Sequence, residues 1–285
     1  MITSGMTSKK IKDYYERYKD IDVTYTKEVA FVTRLLIEQV HVKCGHDAWP
    51  CTLFSSSFAK AKILINIKTG LLNQLKNVNN AVSLRFCFQP AEKGTPIKFF
   101  VPSKVTGQAP YRGSEEVYVL SLDFTQRPPD DLIAIMGQLI DANVNFAKRK
   151  TEQVPLTEEK LRKLRLVSRN TLTYIQEIPR QCILQEISFC SAKLITVGLS
   201  KFLQDKDAAV RFEFDDPPEN FILKGQISNV EPLPNKKEMA VITLSYNESS
   251  ISMGYKIRLN EFLVAIRADN RPSNEDSDGA AKKKP

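Results

Sequence analysis

From about Cys51 to Tyr246 the chain is built of short runs in which apolar and polar residues alternate, as in Arg85-Phe86-Cys87-Phe88 and Val210-Arg211-Phe212-Glu213-Phe214. A period of two marks strands with one face buried. The intervening loops carry Asn, Gly, Asp and Pro, as in Asp215-Asp216-Pro217-Pro218, the residues of turns. Short strands at this spacing predict antiparallel barrels, whose closure removes exposed edges. Elsewhere the period becomes helical. Ile11, Tyr14, Tyr15 and Tyr18 mark an amphipathic helix, and Thr26 caps a second that buries Val29, Val32 and Leu36. Pro128-Pro129-Asp130-Asp131 opens a third, with Pro and acids where free N–H groups favour them and with Leu132, Ile135, Met136, Leu139 and Ile140 as its apolar stripe. Thr157 caps a short fourth, and Tyr255, Leu259, Phe262, Leu263 and Ile266 form the stripe of a fifth. The third and fifth stripes read as caps on the barrels.

The strand pattern occurs twice. Cys51–Leu64 aligns with Cys182–Ile195 at an offset of 131 residues, with identities at Cys51/Cys182, Leu53/Leu184, Ser57/Ser188, Phe58/Phe189, Ala61/Ala192 and Lys62/Lys193. Further on, 84–88 matches 210–214, 99–101 matches 221–223, and 119–124 matches 241–246, the offset falling to 122. An offset that only shrinks is what loop-length differences between two copies produce. The expected architecture is mainly β with flanking helices: two tandem antiparallel barrels, each followed by a helix. The expected boundaries are 1–147, 148–269, and a disordered tail from 270 to 285, where no apolar pattern remains.

The 285 residues fit two domains, at roughly 100–200 residues each. No apolar run approaches a membrane span, and the first residues lack the apolar core of a secretory signal. Five cysteines without CxxC spacing fit a reducing cytoplasm. With two histidines, His41 and His46, and no GxxxxGK[ST], GxGxxG, HExxH or GxSxG, an enzyme is the least supported class. His41, Cys44, His46 and Cys51 could be zinc ligands, but their spacing is wrong for a paired site, and on a strand His41 and Cys44 face opposite ways. No metal is expected there. The net charge of +8 is concentrated in 148–169, with eight basic and three acidic residues. This stretch reads either as a solvated linker or as an anion-binding hinge.

Together, Lys148-Arg149-Lys150-Thr-Glu-Gln153 and, 33 residues after Gln153, Glu186-Ile-Ser188-Phe-Cys-Ser191 resemble the PilZ family, whose signature is RxxxR followed by [DN]xSxxG. The two-copy layout resembles the spirochaete type, with a PilZ-like N-terminal domain ahead of a PilZ domain. The resemblance implies small β-barrels that bind cyclic di-GMP, with no other cofactor. It places ligand-binding roles on Arg149, Gln153, Glu186, Ser188 and Ser191, with Lys148, Arg165 and Arg169 as further basic candidates. Arginine suits such a ligand because its fork binds phosphate and its plane stacks on guanine.

The chain departs from the signature at Gln153, Glu186 and Ser191. Losing one charge-assisted contact costs about 1.5–3 kcal/mol, or ~10–100-fold in affinity. Copy one has Ser55, Ser57 and Lys60 at the second motif and no RxxxR before them, and reads as a non-binding scaffold or docking domain. Three functions stay open: a cytoplasmic cyclic di-GMP effector that acts through a protein partner, such as a flagellar motor component; a ligand-independent adaptor; and a nucleic-acid-binding double barrel. Against the last, aromatic and basic residues do not interleave.

Overall fold

The structure is a computed structural model and describes residues 6–269, apart from 91–93, 235 and 237. The tail expected from Asn270 lies outside the described residues. Two compact units form: the chain up to Lys150 together with Glu248–Lys256, and Thr151–Asn247 together with the residues from Ile257 on.

The first unit contains α1 (Ser8–Tyr18), β1 (Val23–Thr24), α2 (Lys27–Thr33), β2 (His41–Cys44), β3 (Asp47–Pro50), β4 (Thr52–Ser56), β5 (Lys60–Asn66), α3 (Leu71–Asn77), β6 (Ala81–Phe88), β7 (Ile97–Pro110), β8 (Val117–Phe124) and α4 (Asp130–Lys148). Its antiparallel sheet runs β1-β4-β5-β8-β7-β6-β2-β3. The strands β3 and β4 stand far apart in that order, yet only Cys51 separates them in the chain. The sheet therefore curls round until one strand serves both sides, pairing with β2 before Cys51 and with β5 after it. Pro50, which has no N–H to give to a ladder, stands at the switch. The barrel expected in this unit takes the form of a curled antiparallel sheet.

The second unit contains β9 (Val154–Pro155), α5 (Glu158–Leu164), β10 (Asn170–Ile175), β11 (Ile178–Ile187), β12 (Ser191–Val197), β13 (Asp207–Asp215), β14 (Pro218–Pro232) and β15 (Met239–Tyr246). The order is β10-β13-β14-β15-β12-β11-β9, and β10 also pairs with β11, which closes a six-stranded barrel. Gln181 occupies the position of Pro50, and β11 is unbroken there. Alternation fills the interior, with Leu184, Leu194, Val210, Phe212, Ile242 and Leu244 buried. The final helix, α6 (Met253–Asp269), buries Tyr255, Leu259, Phe262 and Leu263 and half-buries Ile266.

Strand registers repeat between the units. Leu84 faces Val101 and Phe86 faces Phe99, as Val210 faces Leu223 and Phe212 faces Phe221. A bulge between Leu53 and Ser55 recurs between Leu184 and Glu186, and one between Val105 and Gly107 recurs between Ile227 and Asn229. The duplication also begins earlier than Cys51. The strands β1 and β9 pair at Val23↔Ser56 and Val154↔Ile187. Thr26 and Thr157 cap α2 and α5, each seven residues long. Both helices end on an arginine in the left-handed region, Arg34 and Arg165, each at φ 58°.

That arginine corrects the expectation for α2. The helix stops at Thr33, so Leu35 enters the core while Val32 and Leu36 are only half-buried. The helix α1 buries Ile11, Tyr14 and Tyr18 as its pattern requires, and packs along α4. The contact is close because Gly137 of α4 has no side chain; a Cβ there would overlap the Tyr14 ring. One turn on, the Tyr18 hydroxyl donates to the buried Asp141 carboxylate at 2.5 Å, and Asn145 donates to the same oxygen. Burial, then the Asp141 hydrogen bond and charge, raises the Tyr18 phenol above its ordinary value.

Gly137→Ala is expected to destabilise the protein by about 1–3 kcal/mol through overpacking against Tyr14. Chemical denaturation of the variant beside the native chain checks this, and a change within ~0.5 kcal/mol would contradict the close contact.

Candidate functional site

The second signature segment folds as the β11–β12 hairpin. Ser188, fully buried, closes its turn. The Ser188 N–H donates to the Ser191 carbonyl at 2.8 Å, and the Ser188 hydroxyl oxygen accepts from the N–H groups of Ser191 at 2.9 Å and Cys190 at 3.3 Å. Copy one repeats the device. The Ser57 N–H donates to the Lys60 carbonyl at 2.8 Å, and the Ser57 hydroxyl accepts from Ala59 and Lys60 at 3.1 and 3.2 Å. The matched serine therefore fastens a turn in both copies, whatever else it does in the second.

Two of the altered positions meet. The Gln153 amide nitrogen donates to the Ser191 hydroxyl at 3.2 Å, and that hydroxyl lies 2.8 Å from the Ser188 hydroxyl. Gln153, Ser191 and Ser188 thus form one hydrogen-bonded chain across the mouth of the hairpin. Ser191 is 6% exposed and does not have a positive φ. A glycine there would serve by leaving space rather than by backbone freedom, and the Ser191 side chain fills that space. Glu186 lies beyond the Gln185 bulge, half-buried, opposite Lys193 on one side and Pro155 on the other.

The other candidates take other places in the fold. Lys148 ends α4, and Arg149 follows as its C-cap, with its N–H bonded to the Asn145 carbonyl; both belong to the first unit. Arg165 donates to the Asp216 carbonyl at 3.1 Å and pairs with its carboxylate at 2.5 Å. Arg34 makes the corresponding bond to the Pro90 carbonyl at 3.2 Å. Arg165 thus shares a structural task with Arg34 in the repeat, and it also borders a cavity. Arg169 pairs with Glu158 at 3.2 Å and borders, with Arg162, the same cavity. Sequence reasoning passed over Arg162; the run Arg162, Arg165, Arg169 was its only signal.

All five cysteines are free thiols. Burial pushes the Cys51 and Cys182 thiols up to about 12. His41 sits on β2, its Nδ1 2.8 Å from an Arg85 nitrogen, and Trp49 donates to the Thr69 carbonyl at 2.9 Å.

A PilZN3 domain is matched over residues 9–143. A protein of Treponema denticola named "Cyclic di-GMP binding protein" is 38% identical over 261 residues, which is 91% of this chain and 83% of that one. Among solved structures, the chain is similar to the Borreliella burgdorferi PlzA protein in complex with c-di-GMP, at 19% identity, covering 90% of this chain and 98% of that one with a TM-score of 0.41. It is also similar to Escherichia coli YcgR in complex with c-di-GMP, at 9% identity, covering 85% and 91% with a TM-score of 0.29.

Two outcomes test the hairpin and the thiols. Ser188→Ala should cost about 1–3 kcal/mol, because it strands the buried Ser191 N–H, and Ser57→Ala about 0.5–1.5 kcal/mol, because its turn N–H groups are part-buried or exposed; denaturant midpoints measure it, and an unaffected midpoint for either would remove the fastening role. At pH 8 thiols held near 12 are protonated and unreactive. Alkylation of the native chain should therefore reach the half-exposed Cys190 well before Cys51 or Cys182, as peptide mass mapping would report.

The T. denticola relative spans nearly the whole chain at an identity well above chance, and residues 9–143 match PilZN3: the chain belongs to the PilZ family.

Proposed function

We propose that the chain is a cyclic di-GMP effector that acts in the cytoplasm by binding rather than catalysis, through a protein partner, with flagellar motility as its process. The observation that carries this reading is the 38% identity, over 91% of the chain, to a protein named for cyclic di-GMP binding. Arg149 retains the first arginine of the signature and supplies the main phosphate attraction. The partner and the process rest on the family resemblance. Among the described residues no helix is long and apolar enough to cross a membrane.

A second reading, a ligand-independent adaptor, is favoured by the Gln153–Ser191–Ser188 chain. The hairpin satisfies its own polar groups, so a ligand entering there must break a bond that the family signature does not contain. The native affinity separates the two readings. Saturable sub-micromolar binding, lost in Arg149→Ala, supports the effector; binding near or weaker than ~1 mM supports the adaptor.

Gln153→Arg combined with Ser191→Gly is expected to tighten cyclic di-GMP binding by at least ~10-fold on either reading, because it removes the bridge and restores one charge-assisted fork. Adding Glu186→Asp should tighten it further by returning a carboxylate of the signature length. Calorimetry on the full chain checks this; unchanged affinity in the double variant would show that the bridge does not obstruct the site.

A further inference from the structure

Two lysines share one ring near the end of α4. The Lys256 ammonium lies 4.1 Å, and the Lys150 ammonium 5.0 Å, from the centroid of Phe146. Phe146, Lys150 and the first turn of α6 up to Lys256 all belong to the first unit. So do two acids beside them. The Glu248 carboxylate pairs with Lys150 at 3.2 Å, and the Glu28 carboxylate on α2 accepts the Met253 N–H that opens α6.

The two lysines differ in what compensates their charge. Lys150 has a carboxylate. Lys256 is half-buried and, among the described residues, makes neither an ion pair nor a hydrogen bond; it faces only the ring, which binds an ammonium less strongly than a carboxylate does. Burial opposes the Lys256 ammonium, Glu28 and Glu248 favour it, and the Lys150 charge opposes it again. Burial prevails, and the amine is held below its ordinary value. The packing of such a helix does not call for a lysine at this turn: α4, which follows the corresponding strand in copy one, has none before Lys148.

A half-buried amine that sheds its proton more readily than a free lysine is a nucleophile. A second ammonium on the same ring draws an anionic electrophile to it. The Lys150–Glu248 pair is exposed on both sides, at 42% and 70%, so a competing anion can take the place of Glu248. The reagent that matches both lysines is an acyl phosphate, with a carbonyl carbon for the amine and a phosphate for the ammonium. We propose that Lys256 is a site of acylation by small acyl phosphates, with Lys150 holding the phosphate. The neutral Lys256 Nζ forms a C–N bond to the carbonyl carbon as the C–O bond to phosphate breaks. The phosphate leaves with that electron pair and with the proton shed by the nitrogen. The product is an uncharged amide, which leaves Phe146 with one cation where it had two. This site is independent of the β11–β12 hairpin and of the readings given for it.

Incubating the full chain with acetyl phosphate at pH 8 and mapping the acetylated peptides by mass spectrometry tests this. Lys256 should react at least ~10-fold faster than Lys12, whose side chain is 74% exposed. Lys150→Ala should slow the reaction at Lys256 by ~10-fold or more. It should slow the reaction with N-hydroxysuccinimide acetate, which carries no phosphate, by much less. Glu28→Gln keeps an acceptor for the Met253 N–H but removes a charge that favours the ammonium, so it should speed the reaction with both donors. Neither side chain is buried, and thermal melts check that both variants fold. A Lys256 that reacts no faster than Lys12 in the native chain would overturn the proposal. So would equal slowing of both donors by Lys150→Ala, or no gain in rate from Glu28→Gln.

Discussion

A sheet that closes on itself has to bend, and in this protein much else follows from where it bends. In the second unit β10 pairs with β11 on one side and β13 on the other, leaving no free edge between them. The curvature is taken up at two bulges, at Gln185 and Ser228. The first of these separates Leu184, which points into the core, from Glu186, which does not. It also sets the register in which β11 arrives at its turn. Ser188 can satisfy the turn's N–H groups because the strand reaches it in that register. The same bulge in copy one delivers Ser55 and Ser57 in the same way. The signature strand is thus a consequence of barrel curvature before it is a recognition element.

The strands and their repetition were legible because alternation and short identities survive where side chains fill an interior. The matched runs 84–88/210–214 and 99–101/221–223 proved to be hydrogen-bonded neighbours within each sheet. The earlier part of the repeat was not legible. A two-residue strand and a seven-residue helix carry too few apolar positions for a period to show. Thr26 and Thr157 were each readable as caps, but the charge of 148–169 drew that stretch apart as a linker. Its copy-one counterpart is nearly neutral and contains Phe31 where the second copy has Arg162. The end of α2 was misjudged for a related reason: periodicity cannot announce that an arginine will adopt a left-handed conformation and turn the next residue inward.

The candidate site was legible in its members and not in their relations. Ser188 could be named from the motif, but its burial and its turn-closing bonds needed three dimensions, and only Ser57 shows that they do not depend on a ligand. Gln153 and Ser191 read along the chain as two separate losses, 38 residues apart. In space they are one hydrogen bond. For Arg165 the type and spacing suggested recognition, and the comparison with Arg34 adds a task along the chain that no motif announces: both end a helix in the left-handed region.

The bridge between Gln153 and Ser191 also bears on how such a protein can change with time. Each residue gives the other its partner, so neither is now neutral with respect to the other. A lineage that reverts only the serine leaves the amide of Gln153 facing an empty contact. One that reverts only the glutamine brings a guanidinium against a side chain standing in the space its ligand would need. Neither single exchange by itself gives the arrangement of the signature, because each leaves the other residue without its partner. Coupling of this kind ties the two positions together, so that a change at one is felt at the other.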